Sequence, residues 1–186
     1  MKQHRALVAL AVSRAAATSD SPPLNITALS SRSGYSVLER WEPSSSNPID
    51  FMSAVNYPVG STMEAFWSRI KPRTYIGEAW ASQVQLTVIV NGLVRITAPA
   101  PAAGEQSASV CGLAEAAIGR PETTVVYGMP GTVQSSILIA ADLKSASTIA
   151  GHFTDFPSDE PTILVQMQFV DDRVPEHIVL HDGPCL

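Results

Sequence analysis

Basic residues are scarce in this chain of 186 residues. It contains 12 Lys and Arg against 17 Asp and Glu, which gives a formal net charge of -5. No basic run and no alternation of basic with aromatic residues occurs. Proteins that bind nucleic acid usually concentrate positive charge on one face. The sequence therefore argues against nucleic acid as a partner.

Long apolar runs are also missing. No segment approaches the roughly 20 apolar residues that a membrane-spanning helix needs. Residues 1–20 begin with Lys2 and Arg5, continue with a short apolar stretch and end in small residues, the order of parts in a secretory signal. The same segment is equally compatible with a disordered or helical arm. Secretion or an endomembrane location follows from the first interpretation, and a cytoplasmic location from the second.

Cysteine is rare, and several familiar motifs of catalysis do not occur. Cys111 and Cys185 are the two cysteines, and either a disulfide or two separate thiols is compatible with this number. The string G-x-S-x-G, which marks many serine hydrolases, is absent, as is a glycine loop for phosphate. His177 and His181 are four residues apart, but Pro175 and the β-branched neighbours favour an extended segment over a metal-binding helix.

The sequence contains many short β-rich segments separated by Gly, Pro or Asn. YSVLERW (35–41) and seven segments between residues 64 and 169 alternate as strands do, and VPEHIVLHD is predicted to be extended. Residues 18–33 are rich in Ser, Thr and Pro and are predicted to be a linker or an edge segment. Asn91-Gly92 stands between two apolar runs and predicts a β-hairpin. With a short helix over residues 113–118, these features predict an all-β sandwich or barrel.

The order of these segments resembles the cupin superfamily, small jelly-roll barrels that bind ligands in the barrel mouth. IKPRTYIGEAWASQVQLTVIVNGLVRIT is similar to the first cupin motif, and SSILIAADLKSASTIAGHFTDFPSDEPTILVQMQF to the second. The resemblance covers about residues 66–169. It implies that residues 21–186 form a single cupin-like domain, a jelly-roll β-barrel with one or two short helices.

The family's metal-binding histidines are not conserved in the first motif of this chain. Counting from Gly92, the family's Glu falls on Gln85 and its two histidines fall on Glu78 and Trp80 or on Ala79 and Ala81, depending on the register. The second motif keeps its histidine as His152. A neutral amide is a poor ligand for a transition metal. We therefore expect no metal and no other cofactor.

The resemblance implies a set of residues at the barrel mouth. His152 and Glu78 are the candidate catalytic acid and base. The candidate substrate-binding residues are Trp80, Gln85, Tyr75, Arg73, Trp67 and Asp142. If Glu78 points into the barrel, alternation places Ile76 and Trp80 on the same face.

The function that the resemblance implies is a metal-independent isomerisation, dehydration or cyclisation of an apolar or phenolic intermediate in polyketide or terpenoid metabolism. Three other functions remain open at this point. One is a metal-dependent oxygenase or decarboxylase that uses Glu78, Gln85 and His152. The second is a ligand-binding protein without catalysis. The third is a purely structural homodimer, since the sheets of cupins often pair.

Overall fold

The computed structural model describes residues 22–44, 48–51, 54–100 and 119–185. The possible signal or arm (1–20), Cys111 and the helix predicted over residues 113–118 lie outside the described residues. Cys185 is buried. No helix in the described part of the chain is long and apolar enough to cross a membrane.

Most of the described chain is β-strand, which confirms the all-β prediction at this level. The larger sheet has seven strands: β1 (Ile26–Arg32), β2 (Tyr35–Pro43), β5 (Thr62–Ile70), β7 (Gln85–Asn91), β10 (Ile137–Ala140), β12 (Thr162–Phe169) and β13 (His177–Asp182). Their order across the sheet is β13-β2-β1-β10-β7-β12-β5. Neighbouring strands run antiparallel except for β1 and β10, which run parallel.

A smaller sheet of four strands accompanies the larger one. It consists of β6 (Thr74–Ala79), β8 (Val94–Ala98), β9 (Thr124–Gly128) and β11 (His152–Phe156), in the order β6-β11-β8-β9. The short strands β3 (Ile49–Phe51) and β4 (Ala54–Asn56) form a separate pair. Helix α1 (Val133–Ser136) and a 3₁₀ turn (Val170–Asp172) complete the described elements. None of the described sheets closes into a barrel.

The two sheets pack face to face around one apolar cluster. Both sheets contribute buried side chains to this cluster. The larger sheet contributes Leu29, Leu38, Ile89 and Leu164, and the smaller sheet contributes Val94, Ile96, Ala98, Val126 and Phe156. A second cluster is built from strands of the larger sheet and the residues beside them, and includes Ile26, Ala28, Trp41 and Ile139. Because side chains alternate along a strand, the second cluster lies on the opposite face of the larger sheet.

Strand β1 corrects the prediction that residues 18–33 form a linker or an edge segment. It lies between β2 and β10 in the interior of the larger sheet. Ile26 and Ala28 belong to one apolar cluster and Leu29 to the other, so the strand is covered on both faces. The Ser and Thr residues of this segment suggested an exposed position. Thr27 is nevertheless buried within the strand.

The turn predicted at Asn91-Gly92 exists, but the predicted hairpin is wrong. Gly92 has a φ of 84°, as a tight turn requires. However, β7 and β8 lie in different sheets, and β7 pairs with β10 on one side and β12 on the other. Since both edges of β7 are occupied, β8 cannot pair with it. The turn instead carries the chain from the larger sheet to the smaller one.

Gly92 also packs against the start of β12. A Cβ atom at residue 92 would lie 2.9 Å from the Cα atom of Thr162. Asn91 supports this contact, because its Nδ2 donates a hydrogen bond to the carbonyl oxygen of Pro161 at 2.9 Å. The turn is therefore fixed against the neighbouring strand as well as by its own backbone conformation.

We expect Gly92→Ala to destabilise the protein much more than Gly183→Ala. Both glycines have a positive φ, of 84° and 87°, but a Cβ atom at Gly183 meets nothing within 4 Å. The left-handed conformation alone costs a non-glycine residue about 1–2 kcal/mol, and overpacking adds about 1–3 kcal/mol at residue 92. Urea denaturation measures both free energies of unfolding. Equal losses in the two variants would contradict the proposed contact with Thr162.

Candidate functional site

A cavity of about 270 Å³ lies between the inner faces of the two sheets. One part of its wall is apolar and consists of members of the central cluster: Leu29, Ile89, Val94, Ile96, Val126, Phe156 and Leu164. Polar side chains also line it, among them Gln85, Gln134, Gln166, Thr87, Thr154 and His152. None of the described lining residues is Asp, Glu, Lys or Arg. A wall of this kind favours an uncharged ligand with a large apolar part.

His152 is held at the cavity wall by a buried carboxylate. Its Nδ1 atom lies 2.6 Å from Oδ2 of Asp142, whose side chain is fully buried. His152 begins β11, and Asp142 follows β10 at the end of the larger sheet. The interaction therefore joins the two sheets at the cavity.

Asp142 accepts two further hydrogen bonds. The hydroxyl of Ser36 donates to Oδ2 at 2.6 Å, and the backbone N–H of Ala81 donates to Oδ1 at 3.2 Å. A buried carboxylate is tolerated when donors surround it in this way. With three partners in place, Asp142 has little freedom to move, and it fixes the orientation of the His152 ring.

The other ring nitrogen of His152 is available to a ligand. No described residue forms a hydrogen bond with Nε2, and Nε2 is not among the fully buried polar atoms that lack a partner. His152 lines the cavity and is otherwise buried, which leaves Nε2 as the ring nitrogen for a ligand in the cavity. A carboxylate that holds one nitrogen while the other faces a substrate is the arrangement of a general base.

A register shift in β6 determines which residues of the first motif reach the cavity. His152 pairs with Ala79, whereas Thr154 pairs with Ile76, so β6 contains one more residue than β11 across this interval. Because of the extra residue, the side chains of β6 beyond Ile76 point to the opposite face from the one that regular alternation would give them. As a result, Ile76, Ala79 and Ala81 line the cavity, and Glu78 does not.

Glu78 has a different partner. It is exposed, and its Oε1 accepts a hydrogen bond from the backbone N–H of Gly151 at 2.9 Å. This contact joins the end of β6 to the residue that precedes His152. Glu78 therefore supports the backbone beside the histidine.

Trp80, the residue directly after β6, also lines the cavity. Its indole Nε1 donates to the carbonyl oxygen of Ser147 at 2.7 Å, and the Nζ atom of Lys144 lies 4.3 Å from the ring centroid. A Cβ atom at Gly151 would overlap the carbonyl oxygen of Ala79 and lie 2.8 Å from the indole ring. Glycine at residue 151 thus permits the close approach that places His152 and Trp80 together.

The structure brings together part of the predicted set. His152, Trp80 and Gln85 line the cavity, and Asp142 lies behind His152. The remaining predicted residues lie outside this group. Tyr75 is exposed and packs edge-to-face with Phe153 at 6.0 Å, Arg73 is exposed and pairs with Asp159, and Trp67 is exposed on β5.

Several polar residues that line the cavity were not predicted, among them Gln166 and Thr87. Gln166 on β12 lies directly opposite Thr87 on β7, and both line the cavity. The Ser68 hydroxyl donates to Oε1 of Gln166 at 2.7 Å. The alternation of Leu164 and Gln166 would have placed Gln166 on the inner face once β12 was recognised as a central strand.

The metal that the family resemblance implies does not fit the residues present. Among the described residues, no group of three His, Cys, Asp or Glu side chains converges on one point. The cavity wall supplies one imidazole nitrogen, with neutral amides and hydroxyls around it. Such a set lacks the several imidazole and carboxylate donors that a divalent transition metal prefers.

An ion pair at the surface, between Arg32 and Asp182, shifts the pKa of both of its members. The Arg32 guanidinium donates a hydrogen bond to Asp182, which lowers the pKa of the Asp182 carboxyl and raises the pKa of Arg32. This pair joins β1 to the end of β13 at the surface. Neither residue lines the cavity.

Comparison of the chain with protein-family models, with curated proteins and with solved structures found no match. The geometry of the cavity therefore carries the functional argument.

We expect Asp142→Asn to lower the free energy of unfolding by several kcal/mol. The amide cannot accept from Ser36, Ala81 and His152 in the same geometry, and hydrogen bonds to a buried charged group contribute about 1.5–3 kcal/mol each. Asp159→Asn is the matched control, because Asp159 is exposed and forms a surface ion pair with Arg73 worth less than about 1 kcal/mol. Thermal or urea denaturation at neutral pH measures both. Similar losses in the two variants would contradict the role given to Asp142.

Proposed function

We propose that this chain is a cupin-like enzyme that moves a proton within an uncharged, mainly apolar small molecule. It would act as an isomerase, a cyclase or a dehydrating lyase and would need no cofactor. The observation that carries the proposal is the Asp142–His152 pair at the wall of a cavity whose described lining residues include no Asp, Glu, Lys or Arg. Two sheets packed around this cavity support the jelly-roll assignment.

His152 would act as both base and acid. Because Asp142 accepts the hydrogen bond from Nδ1–H, the neutral ring carries its lone pair on Nε2. Nε2 takes a proton from one atom of the substrate, and the carboxylate of Asp142 compensates the positive charge of the ring. The ring then returns the proton to another atom. Isomerisation and cyclisation of this kind consume no net proton or electron.

Gln166 is the candidate donor to the substrate oxygen. Ser68 occupies the Oε1 atom of Gln166, so the amide NH₂ is the group left for a ligand. When a base removes a proton beside a carbonyl group, the carbonyl oxygen gains negative charge. A preorganised N–H donor stabilises that charge and lowers the barrier.

The apolar wall would contribute by holding the substrate in one conformer. Aliphatic side chains and Phe156 surround the part of the cavity away from the polar residues. Ala79 and Ala81 add little volume at the positions where the family has metal ligands, which leaves room for a ring system. Binding in a reactive geometry can supply a substantial part of the rate enhancement. Polyketide and terpenoid intermediates, which are apolar and carry few oxygens, match this cavity.

We expect the protein to accelerate the exchange of α-hydrogens of 2-tetralone with deuterated water. This ketone is uncharged, bicyclic and small enough for the cavity, and proton NMR follows the exchange. His152→Asn should slow the protein-catalysed exchange at least about 100-fold, the usual contribution of a general base. His181→Asn is the control, because His181 is exposed and does not line the cavity.

The same measurement separates catalysis from binding alone. Saturable binding of 2-tetralone to the wild-type protein without faster exchange would favour the ligand-binding alternative. Exchange that is equally fast in His152→Asn and in the wild type would rule out the proposed base.

We expect Gln166→Leu to slow the exchange at least about tenfold, since removing one donor to a developing oxyanion costs up to about 10²–10³ in rate. Gln168→Leu is the matched control. Gln168 lies two residues further along β12 and does not line the cavity. Infrared spectroscopy of the bound ketone provides a second readout, because losing the N–H donor raises the carbonyl stretching frequency. An unchanged frequency in Gln166→Leu would contradict the proposed contact.

A further inference from the structure

The cavity follows strand β10 of the larger sheet, from the Asp142–His152 pair at one end to helix α1 at the other. β10 begins at Ile137, directly after α1, and Asp142 follows two residues after its last residue, Ala140. Ile137 and Ala140 both line the cavity. The five steps from Ile137 to Asp142 correspond to roughly 16 Å of extended chain. The cavity is therefore elongated along the strands.

The register of the smaller sheet gives a similar length. Ile96 of β8 lies between Thr154 of β11 and Val126 of β9. Counted from this row, Gly128 lies four residues along the strands and two strands across from His152, and both residues line the cavity. With about 3.3 Å per residue and about 4.8 Å between strands, the two residues are about 16 Å apart.

Helix α1 forms the wall at the far end of the cavity. It contacts β1, β7 and β10 of the larger sheet and β9 of the smaller one. Hydrogen bonds fix its position: the N–H of Met129 donates to the carbonyl oxygen of Ser135 at 2.7 Å, and the N–H of Ser135 donates to Oγ1 of Thr132 at 3.2 Å. Gln134 of this helix lines the cavity and is exposed, so the cavity reaches the solvent here.

The end beside His152 reaches the solvent as well. Ser82 and Ile76 line the cavity there, and both are exposed. The wall between the two ends is apolar, since it consists of members of the central cluster. Residues 123–141, which include β9, α1 and β10, contain no Asp, Glu, Lys or Arg. An elongated apolar space with two ends at the solvent suits an uncharged chain.

We propose that the ligand of this cavity is an uncharged ketone with a long alkyl chain. Its carbonyl group lies near His152, which rests on the proposed function, and its chain extends along the apolar wall to Gln134. With carbon–carbon bonds of about 1.52 Å and angles of about 111°, an extended chain advances roughly 1.25 Å per carbon, so about 13 carbons span the cavity. A bicyclic ketone such as 2-tetralone is shorter and fills only the part beside His152.

The affinities of linear methyl ketones from 2-octanone to 2-pentadecanone test the length of the site. Tryptophan fluorescence of the full chain follows binding, because Trp80 lines the cavity. We expect each added CH₂ to lower the dissociation constant about threefold to fourfold, as the burial of one methylene group does. The decrease should end at about 2-tridecanone, since further carbons emerge into the solvent beside α1.

A bulky side chain at the α1 end should shorten the site. We expect Gln134→Trp to raise the dissociation constant of 2-tridecanone at least about tenfold, because the indole displaces the last two or more carbons. The dissociation constant of 2-octanone should not change, since this ketone ends before α1. Val133→Trp is the matched control, because Val133 is exposed on the same helix and does not line the cavity. It should bind both ketones as the wild type does.

Photo-crosslinking tests the orientation of the chain. A 13-carbon methyl ketone with a diazirine at the end away from the carbonyl should label residues 127–137 on illumination, and mass spectrometry locates the label. A label confined to β6 or β11 would mean that the chain lies the other way round, and it would overturn the proposal.

Three affinity results would also contradict it. One is a dissociation constant that stops falling at 2-decanone or earlier, as a closed cavity would produce. Another is an equal effect of Gln134→Trp and Val133→Trp on 2-tridecanone, and the third is a lack of saturable binding by every ketone of the series. Catalysis is tested separately: binding of the series without faster exchange in 2-tetralone removes the proposed base and leaves this ligand class. Faster exchange in 2-tetralone without any dependence on chain length does the reverse.

Discussion

The arrangement of the cavity depends on the hydrogen bonds that the buried carboxylate of Asp142 accepts. Its three partners belong to β2, to the segment after β6 and to β11, so one buried charge connects strands of both sheets. A charge at this depth is tolerated because donors surround it, and the loss of one donor would leave the buried carboxylate only partly satisfied. The same contacts that hold the sheets together also orient His152. Stability and the orientation of the candidate base therefore have a common origin.

Much of the fold could be predicted from the sequence, because β-strands produce a strong local signal. Alternating segments such as Thr162–Phe169 and Gln85–Asn91 are strands as predicted. The partners of each strand were harder to predict. The Asn91-Gly92 turn has the local chemistry of a hairpin, yet its two strands pair in different sheets, since pairing depends on distant segments of the chain. The Ser and Thr residues of β1 led to the prediction of a linker or an edge segment, whereas β1 is a strand buried on both faces.

The candidate site shows the same limit at the level of single residues. His152 could be identified from the sequence because it follows a glycine in a recognisable motif. The direction of Glu78 could not, because a register shift against β11 reverses the alternation after Ile76. Gly77 was the local sign of this irregularity, since glycine inside a strand often marks a bulge. The partners of Asp142 (Ser36, Ala81 and His152) are distant in sequence or on other strands, and strand alternation cannot reveal them.

The hydrogen bond between Ser68 and Gln166 connects the edge strand β5 to the wall of the cavity. Ser68 belongs to the exposed edge of the larger sheet, and the amide that it orients belongs to the cavity wall. Ser68 itself does not line the cavity. A substitution at residue 68 would therefore alter the cavity wall through the amide of Gln166, without changing any residue of that wall.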